Sequence, residues 1–230
     1  MEGAMRMLTK RELAQMIDHS LLKPDASYED VARACQECID FNFKTLSVHS
    51  GLVKRAADIL AGTGVGIDAT AGFPLGAMST KAKVFETSDV FNNGATEVDI
   101  VINLGALKAK DYELVRFDIQ EVVKAAAGNI VKVILENYYL TPKEIAVACK
   151  LCEEAGAHFV KTSTGFAPSG AVLADVRLMR QSVSPAVAVK VAGGVTTLKD
   201  MLNFLEAGAT RCGTSKSLKI MAEYEAYENR

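Results

Sequence analysis

Short apolar segments recur along the chain at fairly even intervals, and stretches of helical periodicity lie between most of them. The segments centre near Ile17, Leu46, Ile67, Ile100, Val133, Val160, Val189 and Arg211. Each forms a continuous rather than an alternating apolar run, which is typical of parallel strands buried on both faces. Eight strand-and-helix units in 230 residues predict an α/β fold, a single-domain (β/α)8 TIM barrel.

Repeated helix boundaries support this alternation. A hydroxyl residue stands three positions before an acidic one, as in a capping box, at Ser27 and Asp30, Thr141 and Glu144, and Thr197 and Asp200. The alternative is an open doubly wound sheet, which usually carries a glycine-rich nucleotide loop after its first strand, and IDHSLLKPD has none. No linker interrupts the pattern, so we predict one domain over residues 1–230, with residues 1–14 as a leading segment or helix that closes the barrel floor.

The net charge of −2 changes this picture little. A nearly neutral chain has no electrostatic reason to bind nucleic acid or an anionic membrane surface. No apolar stretch approaches the roughly 18 residues needed to span a bilayer, and MEGAMRMLTKREL lacks the apolar core of a secretion signal. We therefore expect a cytoplasmic protein that binds small molecules, with neither nucleic acid nor membrane as a partner.

Five cysteines include two C-x-x-C pairs, Cys35 with Cys38 and Cys149 with Cys152, a spacing found in zinc sites. Both pairs fall inside helical patterns. Positions i and i+3 of a helix share a face, where cysteine packs as a small apolar residue. We predict core cysteines and no metal site, and the odd total argues against a disulfide framework.

Two lysines interrupt apolar segments near their C-terminal ends, Lys161 in HFVKTSTGF and Lys190 in VAVKVAGG, and Asp99 is placed similarly in TEVDIVIN. Residues at these strand ends surround the mouth of a barrel, so we expect the three groups to converge on one pocket. Burial and a neighbouring cation both lower the pKa of a lysine, and an uncharged lysine attacks carbonyl carbon. The pattern favours Schiff-base chemistry.

A structural interpretation of these lysines stays open from the residues alone. Both can pair with carboxylates such as Asp99, Glu97 or Glu136. For a single lysine in a strand we favour a structural ion pair. Two lysines at matching strand ends, together with an aspartate, favour a catalytic role. Lys132, in VKVILEN, lies early in its strand, and we predict that it has a structural part low in the barrel.

Several phrases together resemble the deoxyribose-phosphate aldolase family. They are IDHSLLKPD, GFPLGA, EVDIVINLGAL, VKTSTGF and VKVAGGV, which follow the family's order over nearly the whole chain. The resemblance implies a class I aldolase, a carbon–carbon lyase of deoxyribonucleotide catabolism that uses no metal and no diffusible cofactor. It implies reversible cleavage of 2-deoxy-D-ribose 5-phosphate to glyceraldehyde 3-phosphate and acetaldehyde.

The resemblance also implies roles for single residues. In that family the lysine of KTSTG forms the Schiff base, the lysine of VK-x-AGG tunes its pKa, and the aspartate of EVD belongs to a proton relay. The matching residues here are Lys161, Lys190 and Asp99. The aspartate of IDH, here Asp18, is implied to lie in the substrate pocket, and we assign Ser20 and Thr162 to substrate binding as well.

Glycine-rich turns follow three late strands and offer backbone N–H groups to an anion. They contain Gly165, the pair Gly193 and Gly194, and Gly213 with Ser215. Glycine favours tight turns in any case, so one such turn would decide nothing. Three on adjacent strands favour a phosphate site.

The chain departs from the family pattern in three places. Ser47 to Gly51 read SVHSG where a Cys-x-x-Pro-like phrase is common, Thr196 stands where arginine is common, and Lys216 stands in GTSKS where GTSSG is usual. Two of these changes touch the phosphate end. Three alternatives therefore stay open: this aldolase, a related Schiff-base aldolase with altered or weak phosphate preference, and a barrel that binds a phosphorylated metabolite without catalysis. We expect a homodimer or a larger homo-oligomer.

Overall fold

All eight predicted strands are present and close into a parallel barrel in the computed structural model, which describes residues 8–228. The strands are β1 Ile17–Leu21, β2 Thr45–His49, β3 Gly66–Ala71, β4 Glu97–Val101, β5 Ile130–Ile134, β6 Phe159–Lys161, β7 Ala188–Ala192 and β8 Arg211–Thr214. Each strand pairs with the next in parallel, and β8 pairs with β1, with Asp18 opposite Gly213. This closure confirms the predicted (β/α)8 barrel and rules out the open sheet.

Helices follow the strands around the outside of the barrel. They are α1 Lys10–Ala14, α2 Tyr28–Phe41, α3 Val53–Leu60, α4 Thr80–Asn92, α5 Leu104–Lys108, α6 Tyr112–Ala125, α7 Pro142–Glu154, α8 Leu173–Ser182, α9 Leu198–Glu206 and α10 Ser217–Glu228. Short 3-10 turns lie at Ser50–Leu52 and Asn137–Tyr139. Within residues 8–228, none of these helices has the length and apolarity that crossing a bilayer requires.

Local signals in the sequence set the helix boundaries. All three predicted capping boxes form, at the starts of α2, α7 and α9. Gly156 and Gly208, which follow α7 and α9, have φ angles of 85° and 106°, and this left-handed conformation suits glycine. These stops turn the chain directly into β6 and β8.

The leading segment contains the short helix α1, which begins at the capping residue Thr9 and packs against α10. Its Leu13 is fully buried. Residues 1–7 of the predicted leading segment lie outside the described residues. That residues 1–14 close the barrel floor, and that residues 1–230 form one domain, stay predictions.

The apolar core lies between the strands and the surrounding helices. The cysteines Cys35, Cys38, Cys149 and Cys152 belong to it, as predicted for helical core residues. The prediction of continuously apolar strands is wrong in one respect. Polar residues alternate with apolar ones, as in Asp68 and Thr70 of β3, and they are buried although they are polar. The inner face of the barrel is therefore polar.

Candidate active site

Eight ionisable side chains fill the barrel interior, and none is more than 5 % exposed. This interior ion cluster consists of Asp18, Asp68, Glu97, Asp99, Lys132, Lys161, Lys190 and Arg211. Its contacts join strands that are not neighbours, such as Asp68 on β3 and Lys190 on β7. Such contacts require that the side chains point toward the barrel axis. The cluster has four acidic and four basic members, so buried charge is matched by charge.

Lys161 is the last residue of β6, and its Nζ lies 2.5 Å from Oδ2 of Asp99. Within residues 8–228, Asp99 is the single carboxylate paired with this lysine. Burial lowers the pKa of Lys161; the Asp99 carboxylate opposes this effect, and the Lys190 ammonium adds to it. The net direction is downward, toward the uncharged amine that Schiff-base chemistry requires.

Lys190 has the opposite electrostatic environment although it pairs with Lys161 in the sheet. Its Nζ lies 2.6 Å from Asp18, 2.6 Å from Asp68 and 2.8 Å from Asp99. Burial lowers the pKa of Lys190, but these three carboxylates outweigh burial and hold the pKa well above its usual value. Lys190 is therefore a stable cation beside a lysine with a lowered pKa, as the predicted roles require.

Asp99 joins the two lysines through one oxygen. Its Oδ2 accepts hydrogen bonds from both Lys161 and Lys190, and its Oδ1 accepts one of 3.0 Å from Lys132. Burial raises the pKa of Asp99, but the three ammonium groups outweigh burial and hold the pKa well below its usual range. Asp99 is therefore ionised, and it can accept a proton from Lys161.

Structural ion pairing, the open alternative for the lysines, is present in the same cluster. Lys132 contacts Asp68 at 2.6 Å, Glu97 at 2.7 Å and Asp99 at 3.0 Å. Lys190 likewise has three carboxylate partners, whereas Lys161 has one. Lys132 and Lys190 are therefore held as cations by three carboxylates each, and Lys161, with one carboxylate partner, keeps its predicted role as the nucleophile.

A cavity of about 540 Å³ opens over the C-terminal ends of β1, β6, β7 and β8. Seven of the predicted site residues line it: Ser20, Lys161, Gly165, Gly193, Gly194, Gly213 and Ser215. Of the eight members of the interior ion cluster, Lys161 alone reaches the cavity wall. Asp99 and Lys190 lie beneath the wall and can act on a bound ligand through Lys161 or through water.

Two residues assigned to substrate binding lie elsewhere. Asp18 is fully buried below the cavity, where it contacts Lys190 and Arg211, each at 2.6 Å. Thr162 points away from the cavity, because its Oγ1 donates to the carbonyl of Ala192 and accepts from the same residue's N–H, both at 3.1 Å. Asp18 is part of the interior ion cluster and Thr162 ties the chain after β6 to β7. That either residue binds substrate stays a prediction.

Glycine conformation shapes the predicted phosphate end of the cavity. Gly165, Gly193 and Gly194 have φ angles of 89°, 78° and 85°, which suit glycine. Gly170 approaches this turn so closely that a Cβ would lie 2.2 Å from the carbonyl oxygen of Gly193. The contact packs the loop after β6 against the turn after β7.

Gly170→Ala is expected to raise the KM for a phosphorylated substrate about tenfold, because the added methyl group pushes the Gly193 turn out of place. Steady-state kinetics measures the change. Gly51→Ala is the matched control, because a Cβ at Gly51 meets nothing within 4 Å. An unchanged KM in Gly170→Ala would show that the turn does not position the phosphate.

Glu136 follows β5 in the left-handed region, with φ 53°, and is almost fully buried. Its carboxylate accepts hydrogen bonds from the N–H of Thr164 at 3.3 Å and from the Thr164 hydroxyl. Burial raises the pKa of Glu136. From the sequence, Glu136 was considered only as a partner for a strand lysine. The structure makes it instead a support for the turn that carries Gly165.

Asp68, which contacts both Lys132 and Lys190, was not predicted from the sequence as a site residue. Cavity residues that belong to β1 and α2 were not predicted either, among them His19, Arg33 and Glu37. Nε2 of His19 lies 2.9 Å from Glu37, and its Nδ1 lies 2.9 Å from Oγ of Ser217, at the start of α10. An acidic residue inside the apolar run GIDATA was a usable signal for Asp68.

The three departures from the family pattern separate in space. Thr196 and Lys216 line the cavity beside the glycine turns. Ser47 is buried away from it, and its hydroxyl donates a 3.1 Å hydrogen bond to Asp68. The first two lie at the predicted phosphate end of the cavity, whereas Ser47 belongs to the environment of the interior ion cluster.

Comparison with known proteins agrees with this geometry. A family model described as DeoC/LacD family aldolase matches residues 12–222. The deoxyribose-phosphate aldolase of Carboxydothermus hydrogenoformans is 49% identical over 219 residues, covering 94% of this chain and 96% of that protein. The deoxyribose-phosphate aldolase of Thermococcus kodakarensis is 50% identical over 218 residues, covering 93% and 97%.

A solved structure agrees as well. The deoxyribose phosphate aldolase from Aeropyrum pernix, described as tetrameric, superposes with a TM-score of 0.89 and 31% identity, covering 95% of this chain and 93% of that one. The resemblance carried by the sequence phrases is thereby confirmed, and the chain belongs to the DeoC/LacD family of aldolases.

Proposed function

We propose that the chain is a class I aldolase that cleaves 2-deoxy-D-ribose 5-phosphate reversibly to glyceraldehyde 3-phosphate and acetaldehyde. The observation that carries the proposal is the position of Lys161, the one member of the interior ion cluster that lines the cavity. Burial lowers the pKa of this lysine, and Lys190 remains a cation beside it. The relatives from Carboxydothermus hydrogenoformans and Thermococcus kodakarensis are named for the same substrate.

The reaction begins on the open-chain sugar, whose aldehyde carbon is C1. The uncharged Nζ of Lys161 adds to C1, and the carbinolamine loses water to give a protonated imine. The imine withdraws electrons from the C2–C3 bond, which breaks as a base takes the proton of the C3 hydroxyl. Glyceraldehyde 3-phosphate leaves, and an enamine of acetaldehyde remains on Lys161. Protonation of the enamine carbon and hydrolysis of the imine release acetaldehyde.

Asp99 is the proposed proton carrier. Its Oδ2 lies 2.5 Å from Nζ of Lys161, within the range for direct proton transfer. Because Asp99 is held ionised, it first acts as an acceptor. The shared contact with Lys190 allows a proton received there to pass further into the cluster.

The glycine turns are the proposed phosphate site. Gly165, Gly193, Gly194, Gly213 and Ser215 line the same cavity as Lys161 and offer backbone N–H groups to an anion. Lys216 lines the cavity next to Ser215 and adds a positive charge at this end. A substrate with an aldehyde at one end and a phosphate at the other fits the two ends of this cavity.

Lys216→Ala is expected to raise the KM for deoxyribose 5-phosphate about tenfold, the size of one lost charge-assisted hydrogen bond, and to leave turnover of free deoxyribose unchanged. A coupled assay for glyceraldehyde 3-phosphate, with the corresponding assay for glyceraldehyde, measures both. Lys219→Ala is the matched control, because Lys219 lies on α10 outside the cavity lining.

The outcome of this assay separates two substrates. One outcome is that wild-type protein cleaves free deoxyribose as efficiently as deoxyribose 5-phosphate, with Lys216→Ala changing the KM for both equally. In that outcome the cavity does not distinguish the two substrates by the phosphate group. The second candidate function, an aldolase with weak phosphate preference, would then hold. Thr196 and Lys216 are the observation that favours it, because both depart from the family pattern at the phosphate end.

We also propose that the chain forms a homodimer or a larger homo-oligomer in the cytoplasm. Phe85 on α4 and Phe117 on α6 are 74% and 50% exposed on neighbouring helices, an apolar surface that suits a protein partner. The five cysteines are buried thiols, which suits a reducing compartment. Sedimentation equilibrium tests the first proposal, with a monomer contradicting it, and cell fractionation tests the second.

A further inference from the structure

Asp68 is a buried ionisable group that the proposed mechanism does not use. It lies on β3, is fully buried, and takes part in three polar contacts. Oδ1 accepts from Lys132 at 2.6 Å, and Oδ2 accepts from Lys190 at 2.6 Å and from Ser47 at 3.1 Å. Charged or titratable groups face it from the strands around it: Asp18 of β1, Glu97 and Asp99 of β4, Lys132 of β5, Lys161 of β6, Lys190 of β7 and Arg211 of β8.

The charge balance of the interior ion cluster requires a group that binds the proton lost by Lys161. With every member ionised, four carboxylates face four cations and the cluster is neutral. An uncharged Lys161 would leave one buried negative charge in excess, which is costly in a dry interior. The balance is restored if one carboxyl group of the cluster binds the proton that Lys161 gives up.

A continuous set of short contacts leads from Lys161 to Asp68. Nζ of Lys161 lies 2.5 Å from Oδ2 of Asp99, the same oxygen lies 2.8 Å from Nζ of Lys190, and that nitrogen lies 2.6 Å from Oδ2 of Asp68. A proton can therefore pass from Lys161 to Asp99. Lys190 gives one of its own protons to Asp68 and takes the proton from Asp99 in its place, so that Lys190 is a cation before and after the transfer.

We propose that Asp68 stores the proton that Lys161 releases before imine formation and returns it when the carbinolamine loses water. The inference rests on the proposed Schiff-base function. Asp68 does not line the cavity, so it acts through Lys190 and Asp99 as a positioning residue for the proton.

The step balances in atoms and charge. Before the reaction, Lys161 is an amine and Asp68 is a carboxylic acid. After addition to the aldehyde, the Asp68 proton travels back through Lys190 and Asp99 to the carbinolamine hydroxyl, which leaves as water. The products are a positively charged imine on Lys161 and an ionised Asp68, and the net charge of the cluster is unchanged.

The carboxyl groups of the cluster differ in how readily they bind a proton. Burial, with the nearby Asp99 carboxylate, raises the pKa of Asp68 to about 6, although Lys132 and Lys190 oppose this. Cations hold the pKa of Asp99 well below its usual range, and the pKa of Asp18 is also lowered. These directions agree with the geometric argument that places the stored proton on Asp68.

Asp68→Asn tests the proposal, because the amide keeps the shape of the side chain and removes its charge. The cluster then has three carboxylates for four cations, so an uncharged Lys161 makes it neutral without a stored proton. The rate of acetaldehyde–borohydride labelling at Lys161 is measured against pH. The pH range over which the labelling rate rises is expected to move down by about one unit in Asp68→Asn. A range that stays in place or moves to higher pH overturns the proposal.

Glu97→Gln is the matched control, since Glu97 is a carboxylate of the same cluster that contacts Lys132 and Arg211 rather than Lys190. The rise in labelling rate with pH is expected to shift less in Glu97→Gln than in Asp68→Asn. An equal shift would show that only the total charge of the cluster sets the pKa of Lys161, which contradicts a specific role for Asp68. If wild-type Lys161 is not labelled at any pH, the proposed Schiff-base function is wrong. If Lys161 is labelled but the pH dependence is the same in Asp68→Asn, only the proposed role of Asp68 is wrong.

A measurement on the wild-type chain keeps the proposal testable if Asp68→Asn does not fold. Infrared difference spectra at pH 6, near the pKa of about 6 of Asp68, are expected to show a protonated carboxyl group that loses its proton when acetaldehyde is added. Glu136→Gln is expected to retain this signal, which separates it from the other carboxyl group with a raised pKa. Absence of the signal, or its loss in Glu136→Gln, contradicts the proposal.

Discussion

Lys161→Leu is expected to abolish retro-aldol activity, with kcat/KM falling on the order of 10⁴-fold or more, while the barrel stays folded. The loss is large because this side chain supplies the atom that bonds to the substrate. The fold survives because Asp99 keeps its contacts with Lys132 and Lys190. Kinetics with deoxyribose 5-phosphate measures the first effect, and near-ultraviolet circular dichroism checks the second.

An exposed lysine supplies the comparison. Lys81→Leu makes the same chemical change on α4, where Lys81 is exposed, and is expected to retain full activity. If Lys161→Leu merely halved the rate while remaining folded, another group would have to form the covalent intermediate.

Lys190→Met is expected to reduce kcat/KM about 10²-fold at neutral pH and to move the ascending limb of the pH profile to higher pH. The cation beside Lys161 is lost, so the attraction of Asp99 for a proton on Lys161 is no longer opposed and the pKa of Lys161 rises. Stability is expected to fall by about 3–5 kcal/mol, because Asp18, Asp68 and Asp99 lose a shared partner. Kinetics against pH and urea unfolding measure the two effects.

Lys132→Met separates the catalytic effect from the structural one. Lys132 also contacts three carboxylates of the cluster, so its loss is expected to cost similar stability. It contacts Oδ1 of Asp99, whereas Lys161 contacts Oδ2, so the pH profile is expected to move less. Equal shifts in both variants would assign Lys190 a structural role only.

The fold could be predicted from the sequence because its signals are local. Helix starts such as Thr141-Pro142 and stops such as Gly156 act within a few residues of the chain. Eight strand segments separated by helices, in a chain of this length, then indicate a closed (β/α)8 barrel. All eight predicted strand centres fall within observed strands.

The site was predicted less completely because it depends on register and alternation across the barrel. Lys161 and Lys190 were found since an ammonium in an apolar strand is conspicuous. The positions of Asp18 and Thr162 outside the cavity lining could not be predicted, because no local pattern tells whether a strand-end residue lines the cavity, lies below it or faces outward. Asp68 was overlooked because its partners are brought together by closure of the barrel rather than by nearby sequence.

The Schiff-base mechanism depends most directly on the reactivity of the Lys161 amine. Acetaldehyde and borohydride are added to the protein at neutral pH, and the modified residue is located by mass mapping of peptides. The mechanism predicts one reduced two-carbon adduct per chain, on Lys161, formed far faster than on any exposed lysine. An unmodified Lys161, or labelling spread over surface lysines at similar rates, would contradict it.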